Sequence, residues 1–276
     1  WARPGNRKAA GAFRRRAASL VGHDASASLH SSFLALRQNP LRHGGSNSRH
    51  HALKRAITTS ALAVLTLGAA PDRAPWADTP VARLEALAEL QTLNADLLGH
   101  DSATLTLDRW CTRHHLADGA KIVADRVRGQ DKPPPAAVRE QLHVGTEQPI
   151  AYRRVKLRCG VHVLSEADNW YVPSRLTPDM NRTLETSDAA FGRVVQPLRF
   201  QRHTVSARLL WSPLPEGWDS GGAPLPRANP GASLPIPDKV IEHQALLTRA
   251  DGEPFSYVVE TYTGAVLDFP PSFGQP

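Results

Sequence analysis

The sequence predicts an α+β fold built on a single antiparallel β-sheet with helices packed against it, from three observations. Leucines recur at helical spacing between residues 79 and 98, as on the buried stripe of an amphipathic helix. From residue 152 onward, apolar and polar residues alternate instead, which is typical of strands with one buried face. Near the end, two β-rich runs flank Asp251-Gly252, a hairpin-turn dipeptide. Helices followed by consecutive hairpin strands indicate an α+β domain.

Two helices are predicted at the start of the folded region. Thr79-Pro80 combines a hydroxyl N-cap with proline at the first helical position, and the helix should end near Leu98. Asp101-Ser102 offers a second cap, and Leu107 and Trp110 lie on one stripe of the helix that follows.

Strands dominate the sequence beyond the stiff linker Lys132–Pro135. In the first, Val155 and Leu157 occupy one face, whereas Arg154 and Lys156 occupy the other. Seven prolines in residues 212–237 indicate a surface loop or flap, because proline interrupts strand pairing. The predicted elements are strands at Tyr152–Cys159, Val161–Val172, His203–Trp211, Val240–Thr248 and Phe255–Tyr262, and a short helix at Pro178–Leu184.

Charge is distributed unevenly along the chain. Of 33 Lys and Arg residues, eleven lie in residues 1–55 against a single acid, Asp24, so 22 basic and 25 acidic residues remain beyond. The net charge of +7 therefore belongs to a tail and does not indicate a nucleic-acid-binding domain. We expect a disordered basic tail over 1–52. An extended gene model is the alternative, because the chain begins with Trp1 and its only methionine is Met180.

Residues 53–76 resemble a secretory signal and its cleavage region. Lys54-Arg55 precede a fifteen-residue uncharged run, Ala56–Ala70, that ends in small residues. This run is too short for a stable membrane span; a buried helix is the alternative. We expect a periplasmic or secreted protein if the run is a signal peptide and a cytoplasmic one otherwise, with the folded domain over 77–276.

Cysteine and histidine usage does not indicate a structural zinc site. Cys111 and Cys159 are the two cysteines, too few for a zinc cluster, and two separate buried thiols are the default expectation. In an oxidising compartment they could pair. The adjacent His114 and His115 point to different faces of a helix, so no metal site is predicted.

The order of motifs from Tyr152 to Arg193 resembles the core of the chorismate lyase family. A strand reading Arg154-Val-Lys-Leu-Arg-Cys159 is followed by a Gly turn, a second strand and Phe191-Gly192-Arg193. The resemblance is that of a divergent member and covers roughly residues 95–261. It implies a single antiparallel sheet whose helices and flap loops cover an enclosed pocket, the fold shared by UTRA-type ligand-binding domains. It also implies a site for a small aromatic or cyclic carboxylate that needs no metal or organic cofactor.

The same resemblance implies roles for individual residues. Arg154 would bind the substrate carboxylate, as a guanidinium can do bidentately; the alternative is a solvated strand arginine. Phe191 and Ala103 would each supply a backbone N–H, and Gly192 would allow close approach of the backbone. Glu260 would meet the ring hydroxyl and act with Arg154 in catalysis, because burial beside apolar neighbours suits a carboxylate to acid–base work.

Three functions remain open at this stage. The first is a chorismate lyase-like enzyme that eliminates pyruvate from chorismate to leave 4-hydroxybenzoate. The second is an exported, non-catalytic small-carboxylate-binding protein of the same fold. The third is a protein that keeps the fold without a ligand. We expect a monomer with a small-molecule partner, no specific nucleic acid and no stable membrane span.

Overall fold

Six antiparallel strands form the sheet of the computed structural model, which describes residues 76–119 and 121–273. Their spatial order is β1-β2-β3-β6-β5-β4, so β1 and β4 lie at the two edges. The strands are β1 (Val123–Val127), β2 (Ala151–Cys159), β3 (His162–Tyr171), β4 (Gln201–Leu209), β5 (Lys239–Thr248) and β6 (Pro254–Thr263). The predicted α+β class with a single antiparallel sheet is confirmed.

Five α-helices accompany the sheet in the described ranges. They are α1 (Pro80–Leu98), α2 (Ala103–Arg113), α3 (Ala136–Gln141), α4 (Pro178–Thr186) and α5 (Phe191–Val194). Both predicted caps are present: the Thr79 side chain accepts from the N–H of Ala82 at 3.1 Å, and that of Ser102 from Leu105 at 3.4 Å. Each cap satisfies one of the N–H groups that a helix start leaves unpaired.

The predicted alternation in β2 is confirmed by burial. Val155, Leu157 and Cys159 are buried, and the residues between them are half-buried. We call the face that carries these three residues the inner face of the sheet, and the opposite one the outer face. The turn into β3 is made by Gly160, whose φ of +56° is in the left-handed region that favours glycine.

The two faces of the sheet are covered differently. Over the inner face, α1 and α2 contribute Leu90, Leu93 and Trp110 to the main hydrophobic core. Over the outer face, α3 covers one end of the sheet, where Leu142 and Trp170 belong to a smaller cluster. Beyond this cluster, the outer face of β2 and β3 carries charged side chains that pair with one another.

The two cysteines form a disulfide, so the expectation of separate thiols was wrong. Cys111 on α2 is bonded to Cys159 on β2, with the Cα atoms 6.1 Å apart. The covalent bond therefore fastens a covering helix to the inner face.

Residues 212–237 form the predicted loop, which contains one short 3-10 turn, Trp218–Ser220. The loop pairs with the chain ahead of α1 through a bridge between Ala77 and Ser233, and the N–H of Leu234 donates to the Trp76 carbonyl at 2.6 Å. The loop is therefore held against the residues that precede α1.

The sequence did not predict β1, α3 or α5. The predicted tail and signal segment, 1–52 and 53–76, lie outside the described residues except for Trp76. The described residues all belong to one unit of the chain, Leu65–Pro276. Among them, no helix combines the length and the apolar character that crossing a membrane requires.

Candidate functional site

A cavity lies between the inner face of the sheet and the N-terminal turn of α2. It encloses about 510 Å³ of empty space, its open mouth included. Apolar side chains make up much of its wall, and a few buried polar groups interrupt them. The lining residues are Asp101, Ser102, Ala103, Thr104, Arg153, Val155, Leu157, Ala167, Asn169, Phe191, Gly192, Phe200, Arg202, Leu247, Val258 and Glu260.

Arg153 is one of two buried arginines in this cavity. It is 1% exposed and lies on the inner face, two residues before Val155. Its terminal nitrogens donate to main-chain carbonyls at and after the end of α4, including Leu184 and, at 2.8 Å, Ala189. Its Nε is buried and has no hydrogen-bond partner among the described residues.

The hydrogen-bond partners of Arg153 are neutral, so no direct ion pair with a described residue balances its charge. Burial, and then the nearby Arg126 guanidinium, lowers the pKa of Arg153. A bound anion would counteract both effects, because an opposite charge close by favours the charged form. The surroundings of Arg153 therefore suit an anionic ligand.

Arg154 was predicted to bind the ligand carboxylate, but it does not line this cavity. Successive side chains of a strand point to opposite faces, so the residue after Arg153 lies on the outer face. There the Nη2 of Arg154 lies 3.2 Å from a carboxylate oxygen of Glu166, and its Nε lies 4.0 Å from Asp168. Arg154 is thus the partly solvated strand arginine of the alternative interpretation.

Arg202 and Glu260 form a buried ion pair on the cavity wall. The Nη2 of Arg202 donates to Oε2 of Glu260 at 2.5 Å, and the two side chains are 3% and 8% exposed. The same carboxylate oxygen accepts from the Tyr262 hydroxyl at 3.0 Å. Burial lowers the pKa of Arg202, but the charge of Glu260 and the hydrogen bond to it, together with Tyr262 and Asp101, outweigh burial and raise this pKa. Oε2 of Glu260 is therefore already engaged by two protein donors.

Tyr262 donates a hydrogen bond to the carboxylate of this ion pair. It is fully buried, and burial followed by the charge of Glu260 raises its pKa well above the ordinary value. The phenol therefore remains protonated and serves as a fixed donor to the carboxylate.

Gly192 lets α5 approach the start of α2. A Cβ placed on Gly192 would lie 2.8 Å from the Ser102 hydroxyl oxygen and 3.1 Å from that of Thr104. The next residue, Arg193, clamps the two helices together by donating to both carboxylate oxygens of Asp108 at 2.6 Å. The Phe191-Gly192-Arg193 motif thus holds α5 close to α2 in two ways: Gly192 allows close packing, and Arg193 bonds to Asp108.

The cavity brings together most of the predicted site residues. Ala103, Phe191, Gly192 and Glu260 all line it, whereas Arg154 lies on the other side of the sheet. The roles predicted for the four lining residues stay predictions.

Sequence reasoning missed Arg153 and Arg202. The signal for Arg153 was present, because the alternation that buries Val155 and Leu157 also places residue 153 on the inner face. No comparable signal pointed to Arg202, which lies on the half-exposed edge strand β4. Asn169 is buried on β3, and its Oδ1 accepts from the Ser256 hydroxyl at 2.6 Å.

The described part of the cavity carries hydrogen-bond donors of two arginines and does not resemble a metal centre. Within residues 76–119 and 121–273, no three His, Cys, Asp or Glu side chains are placed to hold a metal ion. Arg153 and Arg202 both line the cavity, and their guanidinium groups are hydrogen-bond donors for oxygen atoms.

No protein-family model matches this chain. The uncharacterized protein y4mC of Sinorhizobium fredii (strain NBRC 101917 / NGR234) is 59% identical over 196 residues, covering 71% of this chain and 82% of that protein. The chain belongs to the family of y4mC. The name of this relative assigns it no activity.

Solved structures with a similar sheet include three bacterial proteins. PhnF from Mycobacterium smegmatis is 14% identical with a TM-score of 0.39, over 65% of this chain and 71% of that one. The possible transcriptional regulator YydK from Bacillus subtilis is 15% identical with a TM-score of 0.33, over 56% of this chain and 62% of that one. The GntR-family transcriptional regulator from Enterococcus faecalis V583 is 13% identical with a TM-score of 0.33, over 51% and 94%. The chain thus spans less than two thirds of YydK, and likeness at this level carries no argument about ligand or activity.

Proposed function

We propose that this protein binds a small aromatic or cyclic carboxylate in the cavity on the inner face of the sheet, without catalysing a reaction on it. One observation carries the proposal: Arg153 lines the cavity, is buried, and donates its hydrogen bonds only to neutral carbonyls. A buried charge without a counter-charge is costly, and a ligand carboxylate would supply that counter-charge.

The helix that roofs the cavity supports the same ligand. Ala103 and Thr104 are the first two residues of α2 and both line the cavity. The first N–H groups of a helix have no partner within the helix and carry partial positive charge. Together with Arg153, they provide donors for the oxygens of a carboxylate.

The apolar wall supports a flat or cyclic ligand body. Leu157, Phe191 and Val258 line the space together with other apolar side chains. A pocket of this kind, largely apolar with a few placed polar groups, is typical of small-molecule sites.

The engagement of Glu260 favours binding over catalysis. A general acid or base has to exchange a proton with the substrate and be free to reach it. Oε2 of Glu260 is instead held by two protein donors, Arg202 and Tyr262.

Chorismate lyase-like elimination is the second candidate function. It is favoured by the convergence of Ala103, Phe191, Gly192 and Glu260 on one cavity, as the family resemblance implies. In that case Arg153 replaces Arg154 as the carboxylate-binding residue.

We also propose that the protein is exported. The disulfide between Cys111 and Cys159 supports this proposal, since disulfides persist mainly in oxidising compartments. The signal-like segment Ala56–Ala70 agrees with it.

The test is calorimetric titration of the purified full chain with benzoate, and parallel incubation with chorismate followed by chromatography for pyruvate. Arg153→Lys should weaken benzoate binding about 10-fold or more, because lysine cannot reproduce the planar fork of donors. Arg154→Lys, the matched change on the outer face, should leave binding within about 2-fold.

Two results would contradict the proposal. One is that folded wild-type protein, verified by circular dichroism, binds no benzoate; the other is that both variants lose affinity equally. Pyruvate released in proportion to chorismate consumed would transfer the assignment to the lyase.

A further inference from the structure

Asn169 lies beside Arg153 on the inner face of the sheet. The two residues are opposite each other on the neighbouring strands β3 and β2, and both line the cavity. The side chains of such cross-strand partners lie on the same face, with their Cβ atoms about 5 Å apart. The amide of Asn169 is therefore close to the buried charge of Arg153.

One end of the Asn169 amide is held by the protein. Its Oδ1 accepts from the hydroxyl of Ser256 at 2.6 Å, and Ser256 is fully buried on β6. An asparagine carries its acceptor oxygen and its donor nitrogen on one planar group. Because Ser256 holds the oxygen, the nitrogen is directed away from Ser256.

The other end of the amide, Nδ2, is a donor that no described residue occupies. It makes no hydrogen bond within the described part of the chain and, unlike Nε of Arg153, it is not closed off from solvent. Asn169 is 4% exposed and lines the cavity, so the accessible surface of this nitrogen faces the cavity. A buried amide with a purely structural role normally has its polar groups hydrogen-bonded. Nδ2 is therefore available to a ligand.

Two carboxylates also line the cavity, and neither accepts from this nitrogen. Oδ1 of Asp101 accepts from the main-chain N–H of Arg202, and Oε2 of Glu260 accepts from the Arg202 guanidinium. Both acids are thus engaged by the same residue on β4, which leaves Nδ2 of Asn169 to a ligand.

Arg153 and Asn169 offer a ligand different interactions. Arg153 supplies charge, but its terminal nitrogens already donate to main-chain carbonyls, among them Leu184 and Ala189. Asn169 is neutral and supplies a free N–H. Such a donor gains most from an oxygen that carries negative charge.

We propose that Asn169, oriented by Ser256, is a specificity-determining residue of the cavity: its Nδ2 donates to the ligand carboxylate and makes the protein select a carboxylate over the corresponding carboxamide. This inference rests on the proposed carboxylate site. A carboxylate presents a charged acceptor to Nδ2 in either orientation, whereas a carboxamide presents at best a neutral one.

The decisive measurement compares benzoate with benzamide, which differ only in the group that Asn169 would bind. Titration of the full chain, followed by two-dimensional NMR, gives both dissociation constants even where binding is weak. We expect Asn169→Leu to weaken benzoate binding about 10-fold more than benzamide binding, because a hydrogen bond to a charged acceptor is the stronger one. A variant that only disturbed the fold would weaken the binding of both probes alike.

Ser256→Ala tests the positioning role of the serine. It keeps Asn169 but removes the bond that holds Oδ1, so the amide can turn its oxygen towards the ligand. The benzoate-to-benzamide affinity ratio should fall about 3-fold. Ser165→Ala is the matched control, because Ser165 is also fully buried, lies on the strand that carries Asn169 and does not line the cavity. Its affinity ratio should equal that of the wild type.

The outcomes separate this inference from the proposed function. If the wild type binds benzoate but prefers benzamide, or if Asn169→Leu leaves the affinity ratio unchanged, the role of Asn169 is overturned and the carboxylate site stays intact. If the wild type binds no benzoate, the carboxylate site is overturned, and this inference with it. If Asn169→Leu does not fold, Ser256→Ala decides, and an unchanged ratio in that variant overturns the inference.

Discussion

Arg153 and Arg154 are adjacent in the chain and lie in opposite environments. Arg153, on the inner face, is buried and bonded to neutral carbonyls. Arg154, on the outer face, is 26% exposed at its side chain and lies between Glu166 and Asp168. On the outer face, the charged side chains form ion pairs near the surface, and such pairs contribute little to stability. The inner face buries the charge of Arg153 without an ion-pair partner among the described residues, which is costly for folding.

The largest expected effect concerns the covalent bond on the inner face. The double variant Cys111→Ala/Cys159→Ala should lower the free energy of unfolding by about 4 kcal/mol, since the bond closes a loop across a sequence separation of 48. Denaturant unfolding of the full chain measures it, with reduced wild-type protein as a second comparison. An equal midpoint for oxidised and reduced protein would show that the covering of the inner face does not depend on the bond.

The next effect compares a carboxylate on each face. Glu260→Gln should lower the free energy of unfolding by about 3 kcal/mol, because it leaves the buried Arg202 without its counter-charge. Glu166→Gln should cost less than about 1 kcal/mol, because Glu166 is 30% exposed and its partners Arg154 and Lys156 are accessible to water. Chemical denaturation at neutral pH measures both. Equal costs would remove the contrast between the faces.

The third effect is a loss of about 2 kcal/mol in the free energy of unfolding at acidic pH. It comes from His114, a largely buried histidine on the helical side. His114 stacks on Phe269 with ring centroids 3.9 Å apart, and burial, followed by the Arg113 and His115 charges, lowers its pKa from 6.5 to about 4. The unfolded chain then binds a proton before the folded one, so stability is lost as the pH falls from 6.5 towards 4. Glu89, 3.6 Å away, has its pKa raised by burial and acts in the opposite sense near the lower end of this range.

The free energy of unfolding should be measured at about pH 7 and at about pH 4.5, because most of the loss falls between these two values. His114→Gln should show a smaller decrease than the wild type. The control, His115→Asn, changes an exposed neighbour to a residue that tolerates its φ of +51°. It should reduce the decrease less than His114→Gln does, because it removes only the smallest of the three causes that lower the pKa of His114. An unchanged pH dependence in His114→Gln would exclude this histidine as the source.

The smallest effect concerns a glycine on each side of the sheet. Gly192→Ala should cost about 1 kcal/mol or somewhat more, because the new Cβ would lie 2.8 Å from the Ser102 hydroxyl oxygen between α5 and α2. Gly145→Ala, in the segment after α3, meets no atom within 4 Å and should be neutral or slightly stabilising. Thermal unfolding compares them, and a neutral Gly192→Ala would show that α5 can shift without loss.

The sheet was predictable because alternation is a local property of the sequence. The faces of β2 and the cap residues Thr79 and Ser102 follow directly from periodicity and side-chain chemistry. Arg154 was chosen as the carboxylate-binding residue from its position in a motif, although the alternation itself puts the neighbouring residue, Arg153, on the buried face.

The pairing of Arg202 with Glu260 could not be predicted in the same way. It joins β4 to β6 across the intervening strand β5, at a sequence separation of 58. Such a contact depends on strand order, which local patterns do not specify. The four-residue helix α5 is likewise too short to produce a periodic signal.

The two indole nitrogens on the helical side determine when this layer can assemble. Trp76 donates to the carbonyl of Leu267 at a sequence separation of 191, and Trp110 donates to that of Val266 at a separation of 156. A ribosome therefore releases α1 and α2 long before the residues that receive these bonds exist. Contacts of such long range form slowly and late. The nascent chain should hold its first two helices undocked, with their leucine stripes available to a chaperone, until the last hairpin has emerged.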